Sequence, residues 1–438
     1  MQADRKWEFL MKLQIKNALI ITMDDGLIIK NGCLRIEDDK ISYVGDECLS
    51  DEQFDRTIDA RGGIVMPGLV NSHTHTAMTL FRGYGDDMSL NDWLFNKIFP
   101  AEDKLYDEAV YYGSLLACAE MIKSGTTLFA DMYFMNENTV RAVLESKINA
   151  NISRCVTGLG NDYKTRLLEA EELYDKYNGA GGGAVNIEFS AHAIYTCSKE
   201  AIRAVGSAAQ KRGAGVHIHL SETMKENRDC YSQYGKSPTE VFRDMDVFCG
   251  RVNAAHCVYL SENDMDILAE NHVGVTHNPV SNLKLASGVA NVKEMLEKGI
   301  LVGVGTDGTA SNNALDIFGE MKTAALLQKG MRLDPTLINA NAAMLMATQS
   351  GAEILGRGGE RGKLKKGMRA DVIILDADAP NLFPVHNPES TVVYSACGNN
   401  VVTTIINGVI VMENRNLTTI DMEKVKAGVK KSIERMGI

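Results

Sequence analysis

Two kinds of hydrophobic pattern alternate along the chain. Over residues 13–68, short β-branched runs alternate with polar residues and are interrupted by turns such as the Asp-Asp-Gly at 24–26. Such runs are typical of antiparallel strands joined by hairpins. The same pattern returns only after Gly367. Because the two β-rich pieces lie at opposite ends of the chain, we predict one small β domain that both ends complete.

Eight short apolar runs lie between these pieces, and most of them are followed by a helix-length segment. The runs occupy residues 69–75, 126–132, 151–156, 185–192, 215–220, 252–258, 273–278 and 301–307. Three of the helical segments end at Gly125, Gly213 and Gly299, and glycine there is typical of a left-handed helix terminus. Eight strand-then-helix units over about 240 residues predict a (β/α)8 barrel. An open doubly wound sheet is the alternative, but no G-x-G-x-x-G sequence follows the first run.

These patterns predict three regions. Residues 11–66 and 368–415 form a composite β-sandwich, residues 67–367 form a barrel inserted into it, and residues 416–438 form a C-terminal helix. The predicted fold class is therefore α/β, a TIM barrel within a small β domain.

Composition narrows the choice of function. The 438 residues include 46 Lys and Arg against 57 Asp and Glu, a net charge of −11, and 45% are hydrophobic. Such a chain can bury a large core, and its negative charge disfavours nucleic acid as a partner. Neither an apolar run of about 18 residues nor a cleavable secretion signal is found. Nine scattered cysteines without a C-x-x-C pair are typical of a reduced, cytoplasmic protein.

Candidate chemistry lies at the ends of the predicted barrel strands, where barrel enzymes place their active sites. His73 and His75 are two residues apart, so both rings point to the same face of one strand. Such a pair can arise by chance, but further histidines follow at the ends of later strands, which favours a divalent metal site. His219 ends the fifth run, whereas His217 lies deeper and is expected to pack or to hydrogen-bond.

Two carboxylates follow later strands. Glu222 lies three residues beyond His219, where it can reach a substrate at the metal, although an exposed carboxylate at a helix start is the simpler interpretation. Asp307 ends the eighth run in the sequence GVGTDG. A carboxylate there can complete a site of three histidines and one aspartate while its second oxygen accepts a proton from water.

Five motifs occur in an order that resembles the amidohydrolase superfamily. They are PGLVNSHTH, HIHLSE, AHC, THNPVSNLKLASG and VGTDG. Over residues 11–415 the chain is most similar to the branch that deaminates 5′-methylthioadenosine and S-adenosylhomocysteine, as in SHTHTAMTLFRGYGDDMSLNDWL. The resemblance implies a metal-dependent barrel with a β-sandwich and hydrolytic release of ammonia from an adenine ring. It also implies a single catalytic metal, held by His73, His75, His219 and Asp307.

The resemblance also implies the metal count and the catalytic roles. Binuclear members carry a carboxylated lysine at the end of the fourth strand, and residues 185–198 contain none, so a mononuclear centre is expected. Zinc is the first expectation, with iron, manganese or nickel as alternatives, because imidazole and carboxylate accept all of them. The resemblance implies three catalytic roles in this chain. Asp307 takes a proton from water, His256 orients the attacking oxygen, and Glu222 shuttles a proton to the ring and the leaving amine.

Substrate contacts are implied by the resemblance alone. Glu102 matches the position that holds the ribose hydroxyls, His192 matches a position that contacts purine or sugar, and Glu222 also meets the substrate. Arg154 matches an arginine that meets the substrate tail. Arg166 corresponds to a second arginine that would bind the homocysteine carboxylate, with a surface arginine as the alternative.

The functional hypothesis is a cytoplasmic metal-dependent aminohydrolase that acts on S-adenosylhomocysteine, 5′-methylthioadenosine or both. Deaminases of 5′-deoxyadenosine, adenosine or guanine and triazine hydrolases are alternatives on the same scaffold. A non-catalytic scaffold barrel is the alternative of a different class, and it would be expected to have lost the site residues. The expected partner is a small-molecule nucleoside. Neither nucleic acid nor a membrane is expected as a partner, and formation of a homo-oligomer is an open alternative.

Overall fold

The computed structural model of the protein describes residues 12–46 and 53–438, so Met11, the first residue of the predicted β domain, lies outside the described residues. Within those ranges the strands are, in chain order, β1 (Lys12–Ile21), β2 (Ile28–Glu37), β3 (Lys40–Gly45), β4 (Arg56–Asp59), β5 (Ile64–Pro67), β6 (Leu69–Thr74), β7 (Thr126–Tyr133), β8 (Asn149–Val156), β9 (Val185–Ala191), β10 (Val216–Leu220), β11 (Val252–His256), β12 (Gly274–His277), β13 (Val302–Val304), β14 (Val372–Leu375), β15 (Val401–Ile406), β16 (Val409–Glu413) and β17 (Asn416–Leu417).

The helices are interleaved mainly with the barrel strands. They are α1 (Leu90–Asp92), α2 (Phe99–Glu102), α3 (Asp107–Lys123), α4 (Asn136–Ser146), α5 (Tyr163–Tyr177), α6 (Ala180–Gly183), α7 (Lys199–Arg212), α8 (Met224–Tyr234), α9 (Pro238–Asp244), α10 (Glu262–Glu270), α11 (Pro279–Lys284), α12 (Val292–Glu297), α13 (Thr309–Asn312), α14 (Ile317–Arg332), α15 (Ala340–Met346), α16 (Gln349–Ile354), α17 (Pro388–Ser390) and α18 (Met422–Met436). No helix in the described part of the chain combines the length and the apolar character needed to cross a bilayer.

Both ends of the chain build one mixed sheet. Its hydrogen-bonded order is β17-β16-β15-β14-β5-β1-β2-β3, and β4 pairs with β1 beside it. β1 runs parallel to β4 in its first half and parallel to β5 in its second half. The change of partner occurs around Asn17, whose φ of 55° is a left-handed conformation that asparagine tolerates. The prediction of a β domain completed by both ends is confirmed.

The eight predicted barrel strands are present as β6 to β13, and each pairs in parallel with the next. Their burial is nearly continuous, as expected for a parallel sheet covered by helices. The predicted glycines follow α3, α7 and α12 with φ values of 87° at Gly125, 62° at Gly213 and 78° at Gly299. The sequence pattern therefore predicted both the barrel and the way these three helices end.

Hydrogen bonds between β6 and the segment after β13 close the barrel. The Asp307 amide donates to the carbonyl oxygen of His73 at 3.0 Å. Beside it, the Asn71 side chain accepts from the Thr306 amide at 3.0 Å and donates to the Thr306 hydroxyl at 2.8 Å. A buried side chain thus replaces backbone pairing at this seam, and the seam brings His73 next to Asp307.

A covering segment, residues 90–102, lies over one side of the barrel mouth. It consists of α1, a π-helical turn at Trp93–Ile98 and α2. Its apolar side chains pack in a separate cluster that also contains Tyr133, Leu285 and Met436. Because Met436 belongs to α18, the C-terminal helix contributes to the same cluster as the covering segment.

Close packing at Gly428 seats α18. A Cβ atom at Gly428 would lie 2.4 Å from ring carbons of Tyr112, so we expect Gly428→Ala to lower the free energy of unfolding by about 1–3 kcal/mol. Gly330 in α14 is the matched control, because a Cβ atom there has nothing within 4 Å. Gly330→Ala should stabilise by about 0.5–1 kcal/mol, since alanine loses less conformational freedom in a helix. Urea unfolding measures both, and equal shifts would contradict this packing.

Candidate metal centre and substrate cavity

Five histidine rings meet at the C-terminal ends of the barrel strands. The ring centroid of His73 lies 4.9 Å from those of His75 and His217. It lies 5.0 Å from that of His219 and 5.4 Å from that of His256. Neighbouring strands of a parallel barrel end at the same face, so residues distant in sequence form one compact imidazole cluster.

Hydrogen bonds at Nδ1 fix the orientation of these rings. Nδ1 of His75 donates to the carbonyl oxygen of Met132 at 2.5 Å, and Nδ1 of His219 donates to that of His192 at 2.9 Å. Both rings therefore present Nε2 to the centre of the cluster. A ring nitrogen held in this way is typical of metal-binding histidines, because it fixes the tautomer and the direction of the free lone pair.

His217 plays the same orienting part for His73. Nε2 of His217 lies 2.9 Å from Nδ1 of His73, and both side chains are fully buried. His217 thus hydrogen-bonds one layer below the mouth, as its deeper position in the strand predicted. Nε2 of His73 remains buried without a hydrogen-bond partner among the described residues.

The inward-facing atoms fit a divalent metal ion. Donor atoms of His73, His75 and His219 lie within 4.8 Å of one another, as do those of His73, His256 and Asp307. Oδ1 of Asp307 is 3.2 Å from Nε2 of His75 and 3.4 Å from Nε2 of His73. Imidazole nitrogens with one carboxylate suit a first-row transition metal, and a cation would also satisfy the partnerless Nε2 of His73.

Protonation states at the cluster agree with this fit. Burial lowers the pKa of His73 to about 4, and burial followed by the neighbouring histidines lowers the pKa of His219 well below its usual range. Burial opposes ionisation of Asp307, but the adjacent rings of His73 and His75 outweigh it and hold the pKa of that carboxyl well below its ordinary value. The site therefore offers neutral imidazoles and an ionised carboxylate, the forms that bind metals.

His75 is the exception in the cluster. Burial acts to lower its pKa, but the hydrogen bond to Asp307 and the charge of that carboxylate raise it to about 9. The extra proton faces Asp307, in the position where a metal cation would offset the same negative charge. Metal binding is expected to displace such a proton.

Asp307 is held from three sides. Its Oδ2 accepts hydrogen bonds from the hydroxyls of Ser281 and Ser311, each at 2.7 Å, and its Oδ1 accepts from the Gly308 amide at 2.8 Å. Its φ of 62° is rare outside glycine and marks stored backbone strain. The carboxylate therefore has one rotamer, with Oδ1 directed at the histidines.

A buried carboxylate behind the site joins the two segments that carry these serines. Glu320 accepts from the side chain of Asn312 at 2.6 Å and from the Val280 amide at 3.3 Å. Asn312 follows Ser311, and Val280 precedes Ser281, so Glu320 ties α13 to α11. Burial raises the pKa of Glu320 to about 8.

Glu222 and His256 are both buried, and they line the same cavity as members of the metal-donor group (His73, His75, His219 and Asp307). Oε1 of Glu222 accepts from the Ser287 hydroxyl at 3.0 Å, and the Glu222 amide donates to Glu226 at 2.8 Å. His256, with a φ of 74°, has Nδ1 2.9 Å from Oδ1 of Asn282. Both functional groups are thus positioned by hydrogen bonds from neighbouring elements: α11 holds His256, while α8 and the loop after α11 hold Glu222.

The inner cavity extends from this group towards the covering segment. Five aromatic side chains line it: Trp93, Phe99, Tyr133, Phe134 and Tyr195. Glu102 and His192 also line it. Burial raises the pKa of Glu102 to about 7, an effect that the Tyr133 hydroxyl partly offsets. The structure therefore brings Glu102, His192, Glu222 and His256 into the cavity that contains the metal-donor group.

Arg154 and Arg166 lie farther out. They line an outer chamber that shares Phe99, Glu102 and Phe134 with the inner cavity. Neither arginine lines the inner cavity itself. The structure thus separates the two arginines from the residues around the metal-donor group.

Several polar contacts of the site were not predicted, although the residues that make them belong to one of the five sequence motifs. The motif THNPVSNLKLASG spans residues 276–288. Within it, Ser281 holds Asp307, Asn282 holds His256, and Ser287 holds Glu222. A run of small polar residues directly after a barrel strand is the signal that points to such contacts.

The fold and the donor set define a metal-dependent barrel hydrolase. The amidohydrolase family matches residues 64–411, and the chain belongs to that family, whose members hydrolyse carbon–nitrogen bonds. A 5-methylthioadenosine/S-adenosylhomocysteine deaminase of Acetivibrio thermocellus is 46% identical over 97% of this chain and 100% of that protein. A 5′-deoxyadenosine deaminase of Methanosarcina mazei is 48% identical over 96% of this chain and 98% of its own length.

A solved structure agrees over nearly the whole fold. The crystal structure of an adenosine deaminase from Xanthomonas campestris with bound zinc has a TM-score of 0.93 and 30% sequence identity, covering 97% of this chain and 98% of that one. The similarity extends across both the barrel and the mixed sheet.

The two serines at Asp307 yield a prediction about metal binding. We expect Ser281→Ala and Ser311→Ala each to weaken metal affinity by about tenfold or more, because they loosen a carboxylate beside the metal. Competition with a chromophoric chelator measures the affinity. Ser287→Ala is the matched control, since Ser287 contacts Glu222 instead; it should keep the affinity. Unchanged affinity in the Ser281 and Ser311 variants would contradict their positioning of Asp307.

Proposed function

We propose that the chain hydrolyses the C6 amine of adenosine-type nucleosides that carry a 5′ substituent, giving the inosyl product and ammonia. The proposed substrates are 5′-methylthioadenosine and S-adenosylhomocysteine, after the Acetivibrio relative. 5′-Deoxyadenosine is the second candidate, because the Methanosarcina mazei relative named for it is 48% identical. We also propose a cytoplasmic location, which the nine scattered cysteines without a C-x-x-C pair support.

One observation carries this proposal. A single aromatic cavity is lined by Glu102, by Glu222 and by three members of the metal-donor group. Aromatic rings suit a flat purine, and a carboxylate suits the paired hydroxyls of a ribose. The cavity therefore offers contacts to both the purine and the ribose of a nucleoside. The reacting edge of the purine can lie against the metal-donor group.

We propose one zinc ion per chain, held by His73, His75, His219 and Asp307. The inward-facing Nε2 atoms support this ligand set, and the zinc in the Xanthomonas campestris structure supports the choice of metal. When bound, the metal supplies Lewis-acid activation of the attacking water by lowering its pKa. The absence of lysine from β9 supports a mononuclear centre.

The protein's own groups then handle the protons. Asp307 accepts one proton from the attacking water, and the hydroxyls of Ser281 and Ser311 can rotate to donate elsewhere once Asp307 is neutral. His256 orients the water oxygen, because its Nδ1 contact with Asn282 leaves Nε2 facing the site. Proton positioning of this kind contributes typically about 10²- to 10⁴-fold in rate.

Glu222 moves the second proton. It delivers a proton to N1 of the ring as the oxygen bonds to C6, and it receives the remaining proton of that oxygen when the C6–N bond breaks. Glu222 passes that proton to the amine, which leaves as ammonia, and the proton held by Asp307 then restores Glu222. The net change is addition of one water and loss of one ammonia, and both carboxylates return to their starting states.

Glu102 and His192 are the proposed contacts of ribose and purine. His192 is oriented by a 2.8 Å contact between its Nδ1 and the Thr196 hydroxyl. Arg154 and Arg166 are proposed to face the 5′ substituent, because the outer chamber begins at Glu102.

Ammonia release from a panel of substrates tests the function. We expect zinc-loaded enzyme to deaminate 5′-methylthioadenosine, S-adenosylhomocysteine and 5′-deoxyadenosine with higher kcat/KM than adenosine, guanine or a chlorotriazine. The outer chamber has room for the 5′ substituents of the first two compounds, and the aromatic wall of the inner cavity favours the 5′ methyl group of 5′-deoxyadenosine over the 5′ hydroxyl of adenosine. Release of ammonia from guanine alone, or from none of these compounds, would contradict the proposal.

Replacement of Glu222 tests the proton shuttle. Glu222→Gln keeps the size and the contact with Ser287 but cannot carry the proton, so we expect kcat to fall by about 10²- to 10⁴-fold. Metal content, measured by elemental analysis, should stay as in the unaltered enzyme. A Glu222→Gln enzyme with full metal and undiminished kcat would remove Glu222 from the mechanism.

A further inference from the structure

The outer chamber, in which the proposed function places the 5′ substituent, is lined mainly by acidic side chains among its charged residues. Among its described lining residues, Arg154 and Arg166 are the only cations. The acidic residues beyond Glu102 are Asp103, Asp107, Glu137, Asp162, Glu169 and Glu172. Glu137 also has a partner outside the chamber, Lys176, at 3.0 Å. A carboxylate in the substituent therefore meets a wall of its own charge, unless Arg154 and Arg166 are available to bind it.

Arg154 is already engaged by Glu169. Its Nε and Nη2 both bond Oε2 of Glu169, at 2.8 Å and 2.7 Å, and its Nη1 donates to the carbonyl oxygen of Cys155. The guanidinium also lies over the ring of Phe134, 5.4 Å from its centroid. The guanidinium edge formed by Nε and Nη2, which could bind a carboxylate in a bidentate manner, is thus occupied by Glu169.

The two partners differ in exposure. The Arg154 side chain is 13% exposed, whereas that of Glu169 is 49% exposed. Glu169 lies on α5 at the chamber surface and can swing into solvent, while Arg154 is fixed by packing and by Phe134. The pair can therefore open by movement of Glu169 alone.

Arg166 is engaged in a similar way. Its Nη1 donates to the carbonyl oxygen of Thr157 at 2.8 Å and to the carboxylate of Asp162 one turn away. Both arginines proposed to meet a carboxylate thus have an internal carboxylate partner.

We propose that Glu169 is a specificity-determining residue that directs the enzyme towards nucleosides with a small, uncharged 5′ substituent. This inference rests on the proposed function. A carboxylate at the end of the substituent must compete with Glu169 for the Nε–Nη2 edge of Arg154, whereas the methylthio group or the bare 5′ carbon competes with nothing. 5′-Methylthioadenosine and 5′-deoxyadenosine are therefore the preferred substrates, and S-adenosylhomocysteine is the poorer one.

The test compares kcat/KM for four nucleosides. They are 5′-deoxyadenosine, 5′-methylthioadenosine, S-adenosylhomocysteine and 5′-(3-aminopropylthio)adenosine, which keeps the ammonium group of S-adenosylhomocysteine but lacks its carboxylate. The unaltered enzyme should prefer the aminopropyl compound to S-adenosylhomocysteine, because only the latter carries the group that competes with Glu169. Reversal of that order would contradict the inference.

Glu169→Gln should raise kcat/KM for S-adenosylhomocysteine by about three- to tenfold, the effect expected when a partly exposed ion pair no longer competes. The value for 5′-deoxyadenosine should change much less, because that nucleoside does not reach Arg154. Glu172→Gln is the matched control. It removes the same charge from the same wall one helical turn away, but it leaves the ion pair between Arg154 and Glu169 intact.

The outcomes distinguish the role of Glu169 from the deaminase activity itself. Unchanged substrate ratios in Glu169→Gln, or the same change in Glu172→Gln, would overturn the role of Glu169 while leaving the deaminase intact. An enzyme that deaminates none of the four nucleosides would contradict the proposed function and this inference with it.

Discussion

The seam that closes the barrel is the constraint on which the site depends. One backbone hydrogen bond, from the Asp307 amide to the His73 carbonyl, joins the last strand region to the first. Asn71 completes the seam with two side-chain bonds to Thr306. Because the seam residues are adjacent to the metal-donor residues, closing the barrel and assembling the donor set are one event. Loosening the seam would move Asp307 away from the histidines.

Around this seam, each functional side chain is fixed by a neighbour with no chemical role of its own. His217 orients His73, the Met132 carbonyl orients His75, and Asn282 contacts His256. Left-handed backbone at His256 and Asp307 adds strain that the surrounding hydrogen bonds must hold. The result is a buried group of imidazoles around one ionised carboxylate, an arrangement that a bound cation would stabilise.

The sequence predicted those parts of the site that depend on local pattern. The spacing of His73 and His75 and the positions of Glu222 and Asp307 follow from where strands end. The polar partners did not follow, because they join distant positions: Asn71 and Thr306 are 235 residues apart. Arg154 shows the same limit, since a strand arginine in an acidic chain suggests a free cation until its contact with Glu169 on a later helix is known.

Anomalous diffraction at the zinc absorption edge, from crystals of the zinc-loaded protein, tests the central claim most directly. The account predicts one peak per chain, with metal–nitrogen distances of about 2.0–2.1 Å to Nε2 of the three histidines of the donor set and an oxygen of Asp307 as the fourth protein ligand. Two peaks at the barrel mouth, or a single peak without Asp307 among its ligands, would contradict it.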